Sequence, residues 1–144
     1  MTKEQTIGTF ENAMSQQFFL MTRIKNAILS GRAEDFLDIV GKEELFGEFF
    51  YDEKFKLEDL VGIIFFDSIS KKYEEWKKTC EKIYSIFLEN PISPKSKLKH
   101  LEENDYEIAE ALFESLENIH DLMHASCESA QSRLHALNKD HFKA

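Results

Sequence analysis

From Glu103 to Leu137 the chain keeps an apolar stripe in helical phase: Leu112, Leu116, Ile119, Met123, Cys127, Ala130, Leu134 and Leu137. At about 100° per residue these positions span about 80° of a helix surface. Glu103, Glu107, Glu110, Glu114, Glu117, Asp121 and Glu128 group on the opposite side, again within about 80°. No Lys or Arg lies between Lys99 and Arg133. A strand repeats every second residue, so it cannot hold this pattern in register. The stripe predicts a long helix with a narrow apolar seam and an acidic back. It opens on a capping-box-like Asn104 and Glu107 and runs to about Lys139. The seam has coiled-coil-like spacing, which predicts shallow packing on neighbouring helices. From Asp140, residues 140–144 are expected to fray.

Three earlier segments offer partners. Over Lys3–Leu29, Ile7, Phe10, Met14, Met21, Ile24 and Ile28 follow three/four spacing, with Gln17 as a polar lapse. Phe18, Phe19 and Leu20 widen that stripe and predict more than one buried face. Ser30-Gly31 ends the helix. A second helix is expected from Arg32, with Glu34 and Asp35 near its positive end. It carries Phe36, Leu37, Ile39, Val40, Leu45, Phe46, Phe49 and Phe50, is weakened by Gly41 and Gly47, and turns at Tyr51–Lys54. In the third segment, Lys56–Glu89, the stripe runs Val61, Phe65, Ile69, Tyr73, Trp76, Cys80, Ile83, Phe87. One long helix is favoured there. The run Gly62–Phe66 also fits a short buried strand, and Ser68 or Ser70 could cap a fresh helix after a break. Asn90-Pro91 ends this segment, and Ser93-Pro94 starts a short helix to Glu102.

Gly (5) and Pro (2) are scarce in the 144 residues, which disfavours a many-turned β sandwich. Length fits one domain over residues 1–144. The expected fold is all-α: an antiparallel bundle of three long helices plus one or two short ones. The longest apolar run, Leu60–Phe66, is far below the ~20 residues that span a bilayer. No basic, then apolar, leader opens the chain, so Cys80 and Cys127 are expected to be reduced core thiols in a cytoplasmic protein. Export by a route without a signal stays open.

The stretch AILSGRAEDFLDIVGKEE, Ala27–Glu44, has a rhythm that looks like small helical flagellar export chaperones. In those proteins a helix ends at a short Ser/Gly break and the next begins rich in acids. The likeness covers about one eighth of the chain and is general to helical hairpins. The heavy Phe use departs from that family's Ala- and Leu-rich style, so no residue role follows from it.

Little in the chain has the spacing of catalysis. Glu117-x-x-His120 matches half of a bundle di-iron motif, without the second half on a facing helix. Glu117, His120, His124 and Cys127 form the alternative metal set, because two His at i, i+4 and a Cys three further share one helical edge. The competing reading puts Cys127 in the core with both His beside it. There is no H-E-x-x-H, C-x-x-C, G-x-S-x-G or phosphate-cradling Gly loop. No cofactor is expected.

Charge says more. With 18 Lys and Arg against 27 Asp and Glu, the net charge is −9, the wrong sign for direct nucleic-acid binding. The acidic ridge is either a solvated face partly neutralised by Lys71, Lys72, Lys77, Lys78 and Lys82, a docking strip for a basic protein, or a mimic of a phosphate backbone. The aromatic run Phe46, Phe49, Phe50, Tyr51 and Phe55 either fills the core or forms an exposed patch. The expectation is a small acidic, non-enzymatic interaction module: a secretion chaperone, adaptor, effector or inhibitor. Its expected contacts are Phe46, Phe49, Phe50 and Tyr51 as anchors, with Glu107, Glu110, Glu114 and Glu117 for steering. The alternatives are a helical-bundle metalloprotein or enzyme using the His/Cys/Glu set, and a nucleic-acid-mimicking inhibitor. The long seams also allow a homo-oligomer.

Overall fold

The computed structural model describes residues 1–31, 45–52, 56–88 and 99–142. Their elements are α1 (Lys3–Ser30), α2 (Leu45–Tyr51), α3 (Leu57–Val61), α4 (Ile63–Ile86), α5 (Glu103–Ala136) and a 3-10 turn at Lys139–His141. Three helices are long, two are short, and no strand occurs among the described residues. The fold is an all-α helical bundle. Most of the expected second helix, from Arg32, and residues 94–98 of the expected short helix lie outside the described residues. Lys99–Glu102 lie outside any helix, so that short helix does not extend to Glu102.

Side-chain pairings fix the topology. Lys3 Nζ donates to the carbonyls of His135 (2.6 Å) and Leu137 (2.8 Å), and Gln131 Nε2 donates to Glu11 Oε1 (2.9 Å). At the other end Gly31 lies against Tyr106. α1 and α5 are therefore antiparallel. Arg133 Nε donates to the Leu60 carbonyl (3.2 Å), Ser68 meets Ser126 (3.2 Å), and Lys99 N–H donates to the Phe87 carbonyl (2.8 Å). α4 is thus also antiparallel to α5 and runs parallel to α1. Between these two lies α2, with Phe49 against Phe10 of α1 and Phe46 against Tyr73 of α4. It runs back down the bundle and occupies a fourth corner, diagonal to α5.

The periodicities translate into burial for most stripe positions, while Phe65, Leu112, Ile119 and Leu137 are only half-buried. Ile7, Phe10, Met14, Met21, Ile24 and Ile28 of α1 are buried, as are Ile69, Tyr73, Trp76, Cys80 and Ile83 of α4. Leu116, Met123, Cys127, Ala130 and Leu134 of α5 face the same core. Trp76 Nε1 donates to Met21 Sδ at 3.2 Å, so even the indole finds a partner across the core.

Four expectations need correction. The 56–89 segment is neither one unbroken helix nor a strand at 62–66. It breaks at Gly62, whose φ of 87° and ψ of 153° suit glycine and end α3 before α4 begins. α5 starts two residues before the expected cap at Asn104. Glu102 is the cap, and its N–H donates to Asp105 Oδ2 at 2.9 Å. Phe18 and Phe19 are exposed (47% and 57%), because α1 packs on α2 and α5 along one side only.

The fourth correction concerns the aromatic run. Phe46, Phe49 and Phe50 are almost fully buried. At i, i+3 and i+4 they share one face of α2, and the corner position turns that face inward. Phe50 stacks on Phe66 with centroids 4.5 Å apart, and Phe46 on Phe50 at 5.4 Å. Phe55 lies outside the described residues.

Candidate functional site

With those rings in the core, the surface beside the acidic ridge comes from a different source. α1 and α5 run side by side, and a groove follows their outer seam. One part, about 440 Å³, is lined by Lys25, Ile28, Leu29, Glu110, Phe113, Glu114 and Glu117. The adjoining part, about 250 Å³, shares Lys25, Phe113 and Glu117 and continues to Phe18, Met21, Thr22, His120 and Asp121. On α1 the lining positions 18, 21, 22, 25, 28 and 29 form a single helical stripe. On α5 positions 110, 113, 114, 117, 120 and 121 repeat the same steps.

The two walls differ in chemistry. The floor is apolar: Met21, Ile28 and Phe113 are buried at it. The α1 wall adds the exposed Phe18 and Leu29 (63%) and one cation, Lys25. The α5 wall adds Glu110, Glu114, Glu117 and Asp121, all exposed. Among the described residues these four carboxylates and Lys25 lie beyond 4.0 Å of any opposite charge. The lysines of α4 do not neutralise the ridge by contact; Lys72 pairs with Glu75 on its own helix (3.4 Å).

An aromatic cluster closes one end. The Phe18 ring meets His120 and His124 edge-on, each with centroids 4.7 Å apart. The imidazoles lie nearly parallel at 6.3 Å, and His124 Nε2 reaches Glu128 Oε1 at 2.8 Å. Burial pushes the His120 pKa below the ordinary value of 6.5; neighbouring His124 acts in the same direction and Asp121 opposes.

Of the expected contact residues, Glu110, Glu114 and Glu117 come together in this groove. Glu107 is exposed on the same ridge, one turn beyond it. Phe46, Phe49 and Phe50 sit in the core at the diagonal corner. Tyr51 is exposed there, its hydroxyl within hydrogen-bond distance of Ser70 Oγ (2.9 Å) and donating to Glu74 Oε1 (3.2 Å). Aromatic anchors and acidic strip therefore do not form one patch. Phe18, Lys25 and Leu29 are the groove residues that the pattern missed. Their signal was present: each lies beside the α1 stripe, where a second helix leaves an edge uncovered.

The alternative metal set does not assemble. Among the described residues no three His, Cys, Asp or Glu side chains are placed to hold an ion. Cys127 points into the core, and burial pushes its thiol up to about 12. Glu117 faces outward about 80° away on the helix. Cys80 is likewise a buried free thiol. No described helix is long and apolar enough to cross a membrane.

No family model matches the chain, and no curated protein or solved structure matches it significantly.

Proposed function

We propose that this chain is a non-enzymatic interaction module that docks a basic partner protein on its α1–α5 face. The observation that carries the reading is the groove in which, among the described residues, Glu110, Glu114, Glu117 and Asp121 have no opposite charge within 4.0 Å and stand beside an apolar floor, with Lys25 alone on the facing wall as a cation. Like charges at i, i+3 and i+4 cost stability on a helix, and a cationic partner relieves that cost. The exposed Phe18 and Leu29 add contact area that a protein side chain uses and a phosphate-binding surface does not. That favours a protein-docking role over mimicry of nucleic acid. Secretion chaperone, adaptor, effector and inhibitor all fit this mode of action, and export or residence in the cytoplasm is compatible with it.

The test is paired affinity capture from the native cell with the full chain and with the E110K/E114K/E117K variant, at low and at physiological salt. The intact chain should retain basic proteins that the reversed variant loses, and the yield should fall as salt rises. Identical protein sets on both baits would overturn the reading.

A further inference from the structure

Resting on that docking role, we infer that the occupant of the α1–α5 groove is one amphipathic helix of the partner, apolar toward α1 and rich in Lys or Arg toward α5.

Dimensions come first. The groove follows α1 from Phe18 to Leu29, which at 1.5 Å per residue is about 16 Å, or about three helical turns. A helix of that length places side chains at i, i+4, i+7 and i+11 along one line. Those anchors match the step of the lining residues on both walls.

Wall chemistry sets the sidedness. Facing α1, the occupant meets Phe18, Leu29 and the floor at Met21, Ile28 and Phe113, with Lys25 discouraging further cations. Facing α5, it meets Glu110, Glu114, Glu117 and Asp121. A helix carries an apolar stripe and an adjacent cationic stripe at once. An extended peptide splits its side chains onto opposite faces and leaves its own backbone groups seeking partners. Both walls are helices whose backbone bonds are made internally, and no strand edge exists among the described residues to receive such a peptide. A helical occupant brings its backbone already satisfied.

Charge also selects against a second copy of this chain. Two copies meeting groove to groove would set carboxylate against carboxylate, in a protein of net charge −9. Exposed Lys71, Lys78 and Lys82 of α4 are cationic and share their side of the helix with the exposed Ile64, but that face is interrupted by exposed Glu74, Glu75 and Glu81.

The experiment uses the full chain and two synthetic peptides of about 14 residues with identical composition of Leu, Lys, Ala and Gln. One places Leu at i, i+4, i+7 and i+11 with Lys on one flank; the other is shuffled to break both stripes. Binding is followed by fluorescence anisotropy at low salt, with backbone amide shifts mapping the site. The patterned peptide should bind about tenfold tighter than the shuffled one, gain helical circular dichroism on binding, and shift amides of 18–29 and 110–121. The F18S/L29S double variant should lose that margin. Both side chains are exposed, so unchanged circular dichroism serves as the folding control. Equal affinity for the two peptides overturns the helix-in-groove assignment and leaves the acidic docking role standing. No binding of either peptide overturns both. Shifts mapping elsewhere, a margin that survives F18S/L29S, or a self-associated chain that the patterned peptide leaves intact each overturns the assignment.

Discussion

Gln17 is the one polar side chain on the buried stripe of α1 whose atoms, Nε2 and Oε1, find no hydrogen-bond partner among the described residues. Its pattern position foretold burial, whereas the missing partner depends on what faces it. Leaving a buried amide unpaired costs about 1–3 kcal/mol, so Gln17→Met, which keeps the volume and removes the amide, should raise stability by about 1 kcal/mol. Thermal unfolding should show a midpoint about 3 °C higher; a lower midpoint would mean that the amide is paired. His120 makes a second prediction. Its folded-state pKa is depressed, chiefly by burial, so the unfolded chain takes up the proton first as pH falls through the ordinary histidine value near 6.5. Its contribution leaves stability unpenalised above that value and lowers it progressively below, until the folded pKa is passed. Lys25, Glu117 and Asp121 line the same hollow; His124 reinforces the depression and Asp121 opposes it. His120→Leu should therefore flatten the fall in melting temperature between about pH 7 and about pH 5. Parallel profiles for the two proteins would show that His120 carries no linkage.

At the scale of elements, the break at Gly62 decides how α3 and α4 meet α5. The turn lets Leu60 and Val61 bury while the Leu60 carbonyl accepts from Arg133. Backbone at φ 87°, ψ 153° is essentially reserved for glycine, and a side chain there costs about 1–3 kcal/mol. Gly62→Ala should lower the denaturant midpoint accordingly, with the slope unchanged; an unchanged midpoint would argue for helix continuing through 62. This break also shows what was legible. The stripe from Val61 to Phe87 gave the buried face of α4, because three/four spacing survives a local turn almost in phase. For the same reason the stripe could not locate the break, and it could not tell that Ile63 and Ile64, exposed at 59% and 81%, would stay outside. The start of α5 turned on a similar near-degeneracy. Asn104/Glu107 and Glu102/Asp105 are both acid-bearing pairs three apart, and Lys99, 3.3 Å from Asp105, supports the second. α2 was harder, since inward and outward faces of a short helix differ only by what occupies the neighbouring corners. The groove was half legible: the carboxylates of α5 stood out, but their apolar opposite wall belongs to a helix distant in sequence.

For the whole molecule, the question is why an acidic bundle leaves its carboxylates so unevenly placed. Elsewhere charges pair across elements: Lys139 lies 3.5 Å from Glu4, and Lys99 3.3 Å from Asp105. Along the ridge, Glu107, Glu110, Glu114, Glu117 and Asp121 follow one another at three- and four-residue steps with no cation between them. Each such like-charge neighbour pair costs about 0.2–0.5 kcal/mol at low ionic strength. A merely solvated face would be under no pressure to keep that cost, whereas a face used for docking carries it until a cation arrives. The E110Q/E114Q/E117Q variant separates these cases, because it changes net charge from −9 to −6 while preserving side-chain size and helix propensity. Its melting temperature should exceed that of the parent at about 20 mM salt, and the difference should close by about 500 mM, where the Debye length falls to a few ångströms. The same variant should bind the Lys-bearing amphipathic peptide more weakly and with a shallower salt dependence. Gain in stability together with loss of binding would mark the ridge as a site held at the expense of the fold. Gain in stability with binding untouched would mark it as a solvated face, and the docking surface would have to lie away from α5.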